Sequence, residues 1–215
     1  MNVGILGSGV VGQALGTGFV TLGHDVTIGT RNPTNEQLTA WIKKTGAKAS
    51  AASFGEAAAF GDLAVLATAW SGTENAIQLS GPSNLAGKVV IDATNPLRFA
   101  PNSPPTLAVG WTDSGGEQVQ RWLPGAKVVK AFNIIGHAHM FRPQFPGGPP
   151  DMFIAGNDAG AKSKVTDILK AFGWDVNDIG GIEGARYLEP LGMVWIMHGF
   201  RANSWNHVFK LLRRS

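Results

Sequence analysis

Six residues near the start of the chain, Gly7-Ser8-Gly9-Val10-Val11-Gly12, constrain the fold more than any other feature. They have G-x-G-x-x-G spacing and follow a short apolar run, Asn2 to Leu6. A helical pattern continues beyond them to Leu22. Strand, glycine turn and helix together are the context in which this spacing carries meaning. There Gly7 makes the tight turn, Gly9 lets the backbone approach a pyrophosphate, and Gly12 lets helix and strand pack closely. The pyrophosphate then rests on the unpaired N–H groups at the start of the helix, those of Val10 and Val11 included.

The end of the second strand tells which nucleotide. An NAD site places a carboxylate there for the ribose 2′-hydroxyl. Here Asp25 to Ile28 is the strand, Asp25 lies too early, and the end reads Gly29-Thr30-Arg31-Asn32. Arg31 offers a planar fork suited to phosphate and Thr30 a hydroxyl. The pattern predicts a 2′-phosphate clamp from Thr30, Arg31 and Asn32, and hence NADP(H).

The rest of the chain alternates strands and helices. Strands are predicted at Asp62 to Ala67, Lys88 to Asp92, Val128 to Phe132, Met152 to Ala155 and Val176 to Ile179. Helices are predicted at Thr34 to Lys44, Thr73 to Leu79 and Ala159 to Phe172, with capping boxes at Ser53/Glu56 and Ser114/Glu117 opening two more. The Asp62–Ala67 run is apolar without alternation after its first residue, as in a sheet covered on both faces. Alternation of this kind implies an α/β, Rossmann-type doubly wound, mostly parallel sheet. Residues 1–180 form the nucleotide-binding body, and 181–215 a helical C-terminal appendage that completes the pocket and supplies a dimer contact. From Ile182 to Leu212 the pattern is helical, with a break at Pro190 and a second candidate at Gly199.

Ligands of such sheets lie outside the carboxyl ends of the strands. Those ends read Thr68-Ala69-Trp70-Ser71, Ala93-Thr94-Asn95-Pro96-Leu97 and Asn133-Ile134-Ile135-Gly136-His137. Thr68, Ala69, Trp70, Asn95, Asn133 and Ile135 are therefore candidate cofactor contacts. Trp70 reads equally as core or as a wall beside the nicotinamide. His137 and His139 form an H-x-H pair without a third donor nearby, so no metal site is expected; both read first as polar residues of a loop beside the cofactor, with His137 as the alternative of a proton donor. Lys130 reads as a strand-end surface residue, and Arg186 with Glu189 as a local ion pair on one helical turn. Lys210, Arg213 and Arg214 read as a solvated helix end.

Composition narrows the classes further. Hydrophobic residues make up 44% and charged residues 15% of 215, which excludes a disordered chain. There is no Cys, so disulfide, thiolate–metal and Cys-nucleophile chemistry are excluded. A net charge of +3 without a basic stripe points away from nucleic acid. The first basic residue is Arg31, and the longest apolar stretch, Pro190 to Phe200, is too short for a bilayer. A cytoplasmic protein without membrane contact is expected.

Together these residues resemble the coenzyme F420-dependent NADP reductase family of predicted dinucleotide-binding enzymes. The resembling elements are Gly7 to Gly12, Thr30-Arg31, Ala69-Trp70, the run Val128-Val129-Lys130-Ala131-Phe132-Asn133, and the length and placement of the tail. The resemblance implies direct hydride transfer between NADPH and a deazaflavin stacked near the nicotinamide. It assigns Ser8, Val10, Val11, Thr30 and Arg31 to NADP and Trp70 and Asn133 to the nicotinamide end. It also places the tail around Met193 to Met197 at an apolar floor and a homodimer contact. The same fold is similar to the cytosolic oxidoreductase domain of membrane ferric reductases, which passes hydride to a flavin.

The leading expectation is thus an NADPH-dependent oxidoreductase with a deazaflavin or flavin, a small molecule, as hydride partner. Two alternatives remain. One is a reductase of a small carbonyl or imine, which would need His137 or His139 as acid. Families such as the β-hydroxyacid dehydrogenases use a Lys of a long helical domain, and this tail has none before Lys210. The other is an NADPH-binding sensor without turnover.

Overall fold

A computed structural model describes residues 1–214. Each strand of the N-terminal half leads into a helix: β1 (Asn2–Leu6), α1 (Val10–Thr21), β2 (Asp25–Gly29), α2 (Glu36–Thr45), β3 (Ala49–Ala52), α3 (Phe54–Phe60), β4 (Leu63–Leu66) and α4 (Trp70–Ser80). Then come β5 (Val89–Asp92), a short antiparallel ribbon of β6 (Leu97–Arg98) and β7 (Thr106–Leu107), α5 (Gly115–Trp122) and β8 (Lys127–Lys130). The chain continues through β9 (Asp151–Gly156), α6 (Ala159–Ala171), β10 (Asp175–Asp178) and α7 (Ala185–Ala202).

One eight-stranded sheet runs in the order β10-β9-β8-β5-β4-β1-β2-β3. The six strands from β3 to β8 are parallel, in the order of a dinucleotide-binding fold. β9 joins β8 antiparallel, Lys130 opposite Ala155, and β10 runs parallel to β9. The link from β8 to β9 holds only a 3-10 turn at His137–His139 and no crossover helix, so the chain returns beside the strand it left.

Apolar residues on both faces of the central strands bury the sheet between two helical layers. Val3, Ile5, Leu63, Val65 and Ile91 point to the side of Leu15, Phe19 and Leu169; Leu6, Ala64, Leu66 and Val90 point to the side of Ala57, Ile77 and Val119. The carboxyl ends of β1 and β4, where the strand order reverses, open between these layers. Among the described residues no helix is long and apolar enough to cross a membrane.

Several elements differ from the sequence reading, each for a local reason. α2 begins at Glu36 rather than Thr34, because the Asn35 side chain accepts from the N–H groups of Gln37 and Leu38 and caps it. β3, Ala-Ser-Ala-Ala, carries too little hydrophobicity to announce itself. Ser53 and Glu56 make the full reciprocal box, whereas Glu117 bonds the Ser114 hydroxyl and not its backbone N–H. α7 runs straight through Pro190, which lies exposed and near the helix start, and through Gly199. It stops at Asn203, left-handed with φ 47°, which ends a helix as glycine often does.

From Ser204 to Arg214 the chain is not helical. The backbone lies along the sheet edge, with Asp151 donating its N–H to Phe209 O at 3.0 Å. Lys210 pairs with Asp175 at 2.7 Å, so the basic end is tied to β10 rather than being a solvated helix terminus. Trp195 and His207 exchange hydrogen bonds at 2.9 Å, each ring nitrogen to the other's backbone carbonyl, pinning this strap to α7.

Candidate functional site

The glycine turn after β1 folds as its spacing requires. Gly7 has φ +129°, closed to side chains, and a Cβ on Gly12 would meet Gly7 O at 2.0 Å. α1 therefore packs hard against β1 and starts at Val10 with no side-chain cap and no acidic residue in its first turn. Its first N–H groups face open groove, next to the positive end of the helix dipole. Gly9 is exposed, and a Cβ there would meet nothing within 4 Å.

Two cavities share Gly9, Ala67, Thr68 and Ala69 and so form one groove across the switch point. At one end, about 270 Å³ is lined by Gly7, Ser8, Thr30, Arg31 and Asn75 among others. The Ser8 hydroxyl donates to Thr30 Oγ1 at 3.1 Å, fastening the two loops together. Arg31 is exposed and has no carboxylate partner among the described residues. No Asp or Glu lines either cavity.

The other end, about 330 Å³, is lined by Val10, Val11, Trp70, Thr94, Asn95, Leu97, Phe99, Phe132, Asn133, Ile135 and Met140 among others. It contains no charged side chain. Trp70 fills both roles open to it: it walls this cavity and packs on Trp122, ring centroids 5.6 Å apart. Phe132 holds φ +62°, a costly conformation for a bulky residue, at the point where the chain turns from β8 to the cavity wall. Asn95 Nδ2 donates to Asn133 O at 2.6 Å, and Asn133 Nδ2 donates to Asn95 Oδ1 at 3.1 Å and Leu188 O at 2.7 Å. Asn133 Oδ1 is buried at this wall without a donor.

Most sequence candidates thus meet in the groove: Gly7, Ser8, Gly9, Val10, Val11, Thr30, Arg31, Thr68, Ala69, Trp70, Asn95, Asn133 and Ile135. Gly12 lies buried beneath it. Asn32 does not line it; its carboxamide turns back to accept from the Thr34 N–H and hydroxyl. His137 is exposed on the 3-10 turn outside the groove, and His139 bonds Asn206. No α7 side chain lines either cavity; α7 reaches the groove through the Leu188 carbonyl that holds Asn133. Ser71 and Leu97, which close two of the quoted strand-end stretches, line the groove as well, whereas nothing in the spacing of Asn75, Phe99 and Met140 marks them.

Two readings need correction. Lys130 is no surface residue: it is fully buried, 2.7 Å from Asp92 Oδ2 and 3.0 Å from Glu189 Oε1. Burial alone would lower its pKa, but Asp92 and Glu189 outweigh this and hold it above the ordinary lysine value. Arg186 does not pair with Glu189 either. It donates to Glu117 at 2.8 Å, which keeps that carboxyl below its usual range, while Glu189 turns inward. The signal was present: parallel β5 and β8 place Asp92 and Lys130 as direct partners at the ends of two apolar runs.

Residues 2–96 match the family described as NADP oxidoreductase, coenzyme F420-dependent. A crystal structure from Arthrobacter sp. FB24, provisionally named an F420-dependent NADP reductase, is 40% identical and superposes with a TM-score of 0.94 over 99% of this chain and 100% of that one. The metalloreductase STEAP3 of Rattus norvegicus is 29% identical over 88% of this chain, which spans only 36% of that protein's length. An imine reductase of Streptomyces aurantiacus, 16% identical with a TM-score of 0.67, shares the fold over 94% of this chain and 64% of its own. With one relative matched end to end at this identity, and the glycine turn lying inside the matched residues, the chain belongs to the coenzyme F420-dependent NADP oxidoreductase family.

Proposed function

We propose that the groove binds NADP(H) with the 2′-phosphate at Ser8, Thr30 and Arg31, the pyrophosphate over Gly9, Val10 and Val11, and the nicotinamide between Trp70 and Asn133. The residues fit the nucleotide. Gly9 leaves its approach open, α1 offers uncapped N–H groups, and the orphaned Asn133 Oδ1 suits a carboxamide N–H. Bound there, the nicotinamide supplies hydride chemistry, and the chain supplies orientation and a water-poor enclosure.

The hydride partner we propose is a deazaflavin or flavin ring. The observation that carries this is the uncharged cavity beside Asn133, walled by Trp70, Leu97, Phe99, Ile135 and Met140. Ring-to-ring transfer needs flat apolar surface rather than an acid, whereas reduction of a carbonyl or imine needs a proton donor, and His137 stands outside. Steady-state assays with NADPH against oxidised F420, FMN, FAD and a panel of small carbonyls and imines test this. Turnover confined to the ring acceptors supports it, turnover of carbonyls or imines alone overturns it, and nucleotide binding without any turnover makes the chain a sensor.

Arg31→Ala is expected to weaken NADPH binding by roughly 10- to 150-fold, the worth of a charge-assisted hydrogen bond of about 1.5–3 kcal/mol. NADH, which lacks the 2′-phosphate, is expected to bind both forms of the protein alike; calorimetric titration of the two nucleotides checks this. We also propose that the exposed face of α7, Tyr187, Pro190 and Val194, meets a second copy of the chain. A sedimentation mass of one 22.6 kDa chain would remove that proposal.

A further inference from the structure

The charges buried behind the groove do not cancel. Lys130 Nζ donates to the Thr94 carbonyl at 2.9 Å and forms ion pairs with Asp92 Oδ2 at 2.7 Å and Glu189 Oε1 at 3.0 Å. Asp92 Oδ1 also accepts from the Thr94 N–H at 2.9 Å and its hydroxyl at 2.7 Å. Glu189 accepts from the N–H groups of Gly115 and Gly116, both at 2.9 Å. Every group that the two carboxylates meet in this cluster is an N–H or O–H donor or the lysine cation. One lysine against two carboxylates leaves a net charge of −1. The N-terminus of α5, which Glu189 caps, offsets about half of it. Lys130 and Asp92 are fully buried and Glu189 is 1% exposed, so water does little to screen the remainder.

This charge touches the groove in two places. Thr94 bonds both Asp92 and Lys130 and also lines the apolar cavity. Glu189 and Trp70 flank a common point: a Cβ on Gly115 would lie 3.0 Å from Glu189 Oε1 and 3.1 Å from Trp70 Cζ3. Trp70 in turn walls that cavity, which has no charged side chain of its own.

We propose that the Asp92–Lys130–Glu189 cluster is an electrostatic bias that favours the oxidised, cationic nicotinamide over the reduced, neutral one, and so sets this protein to give hydride from NADPH rather than to receive it. The inference rests on the proposed NADP site. The hydride carries both electrons to the acceptor ring proposed above and leaves a positive nicotinamide ring. No proton passes through the cluster, whose three side chains keep their charges throughout.

The test is calorimetric titration of NADP⁺ and NADPH into the wild type, Glu189→Gln and Asp92→Asn. Each substitution removes one negative charge and brings the cluster to zero. The dissociation constant of NADP⁺ relative to that of NADPH is expected to rise on the order of five-fold in both variants, through weaker NADP⁺ binding. A merely structural role would weaken both forms equally, as Arg31→Ala is expected to do. An unmoved ratio in a folded variant overturns the inference. Wild-type protein that binds neither form shows instead that the nucleotide reading has failed. If neither variant folds, the wild type decides: tighter binding of NADP⁺ than of NADPH supports the bias, and the reverse order overturns it.

Discussion

Replacing Gly9 by Val is expected to abolish nucleotide binding while leaving the fold intact. Gly9 is extended, with φ −70° and ψ −179°, so any residue can adopt its backbone. A Cβ there meets no protein atom within 4 Å, and Gly9 lines both cavities of the groove. Valine is a poorer helix cap than glycine, which costs about 1 kcal/mol at most. The branched side chain fills the space over which a pyrophosphate must approach the backbone. A loss of NADPH affinity on the order of 100-fold or more is expected, with a melting temperature within about 4 °C of the wild type. Calorimetry and a thermal melt on the same sample check both halves. Retained affinity would mean that the nucleotide does not lie over this turn.

Lys130→Met is expected to do the opposite, striking the fold first. Asp92 and Glu189 would be left facing each other in the dry interior with no cation between them. Removing one partner of a buried ion pair costs about 3–5 kcal/mol. In a chain of this size that lowers the melting temperature by roughly 6–20 °C. The sign of its pH dependence follows from the charges. In the wild type Lys130 has a raised pKa, so its contribution is complete below 10.5 and is lost only as pH climbs through the raised value. Thermal melts of both proteins across this range check the account. An unchanged melting temperature would mean that the cluster does not support the fold.

These two residues also show where the sequence could be read and where it could not. Gly9 belongs to a motif whose meaning is local. The turn, the helix start and the strand before it lie within a dozen residues, and each part constrains the next. The 2′-phosphate corner, Thr30 and Arg31, is legible for the same reason, because a single strand end places it. Lys130 is different. Its burial depends on β5 supplying Asp92 and α7 supplying Glu189, elements far apart in the chain that only the tertiary fold unites. A lysine after two apolar strand residues, Val128 and Val129, then looks like the exposed end of a strand.

The tail was misread by a similar route. Trp205, Val208 and Phe209 are apolar enough to suggest a helix, but Asn203 takes the left-handed conformation and Asp151 draws the following backbone to the sheet edge. The antiparallel turn into β9 was not announced either. It follows from the lack of a crossover helix after Asn133, and a loop rich in Pro and Gly does not reveal its direction.

The central claim is that hydride passes directly between a nicotinamide at Asn133 and a ring in the same uncharged cavity. The most direct measurement is an anaerobic single turnover of NADPH, deuterated at the transferring position, with oxidised coenzyme F420. Rapid bleaching of the deazaflavin, with the deuterium recovered on its ring, is the result this account requires. Recovery of the label in water, or no bleaching by a protein that binds NADPH, would contradict it.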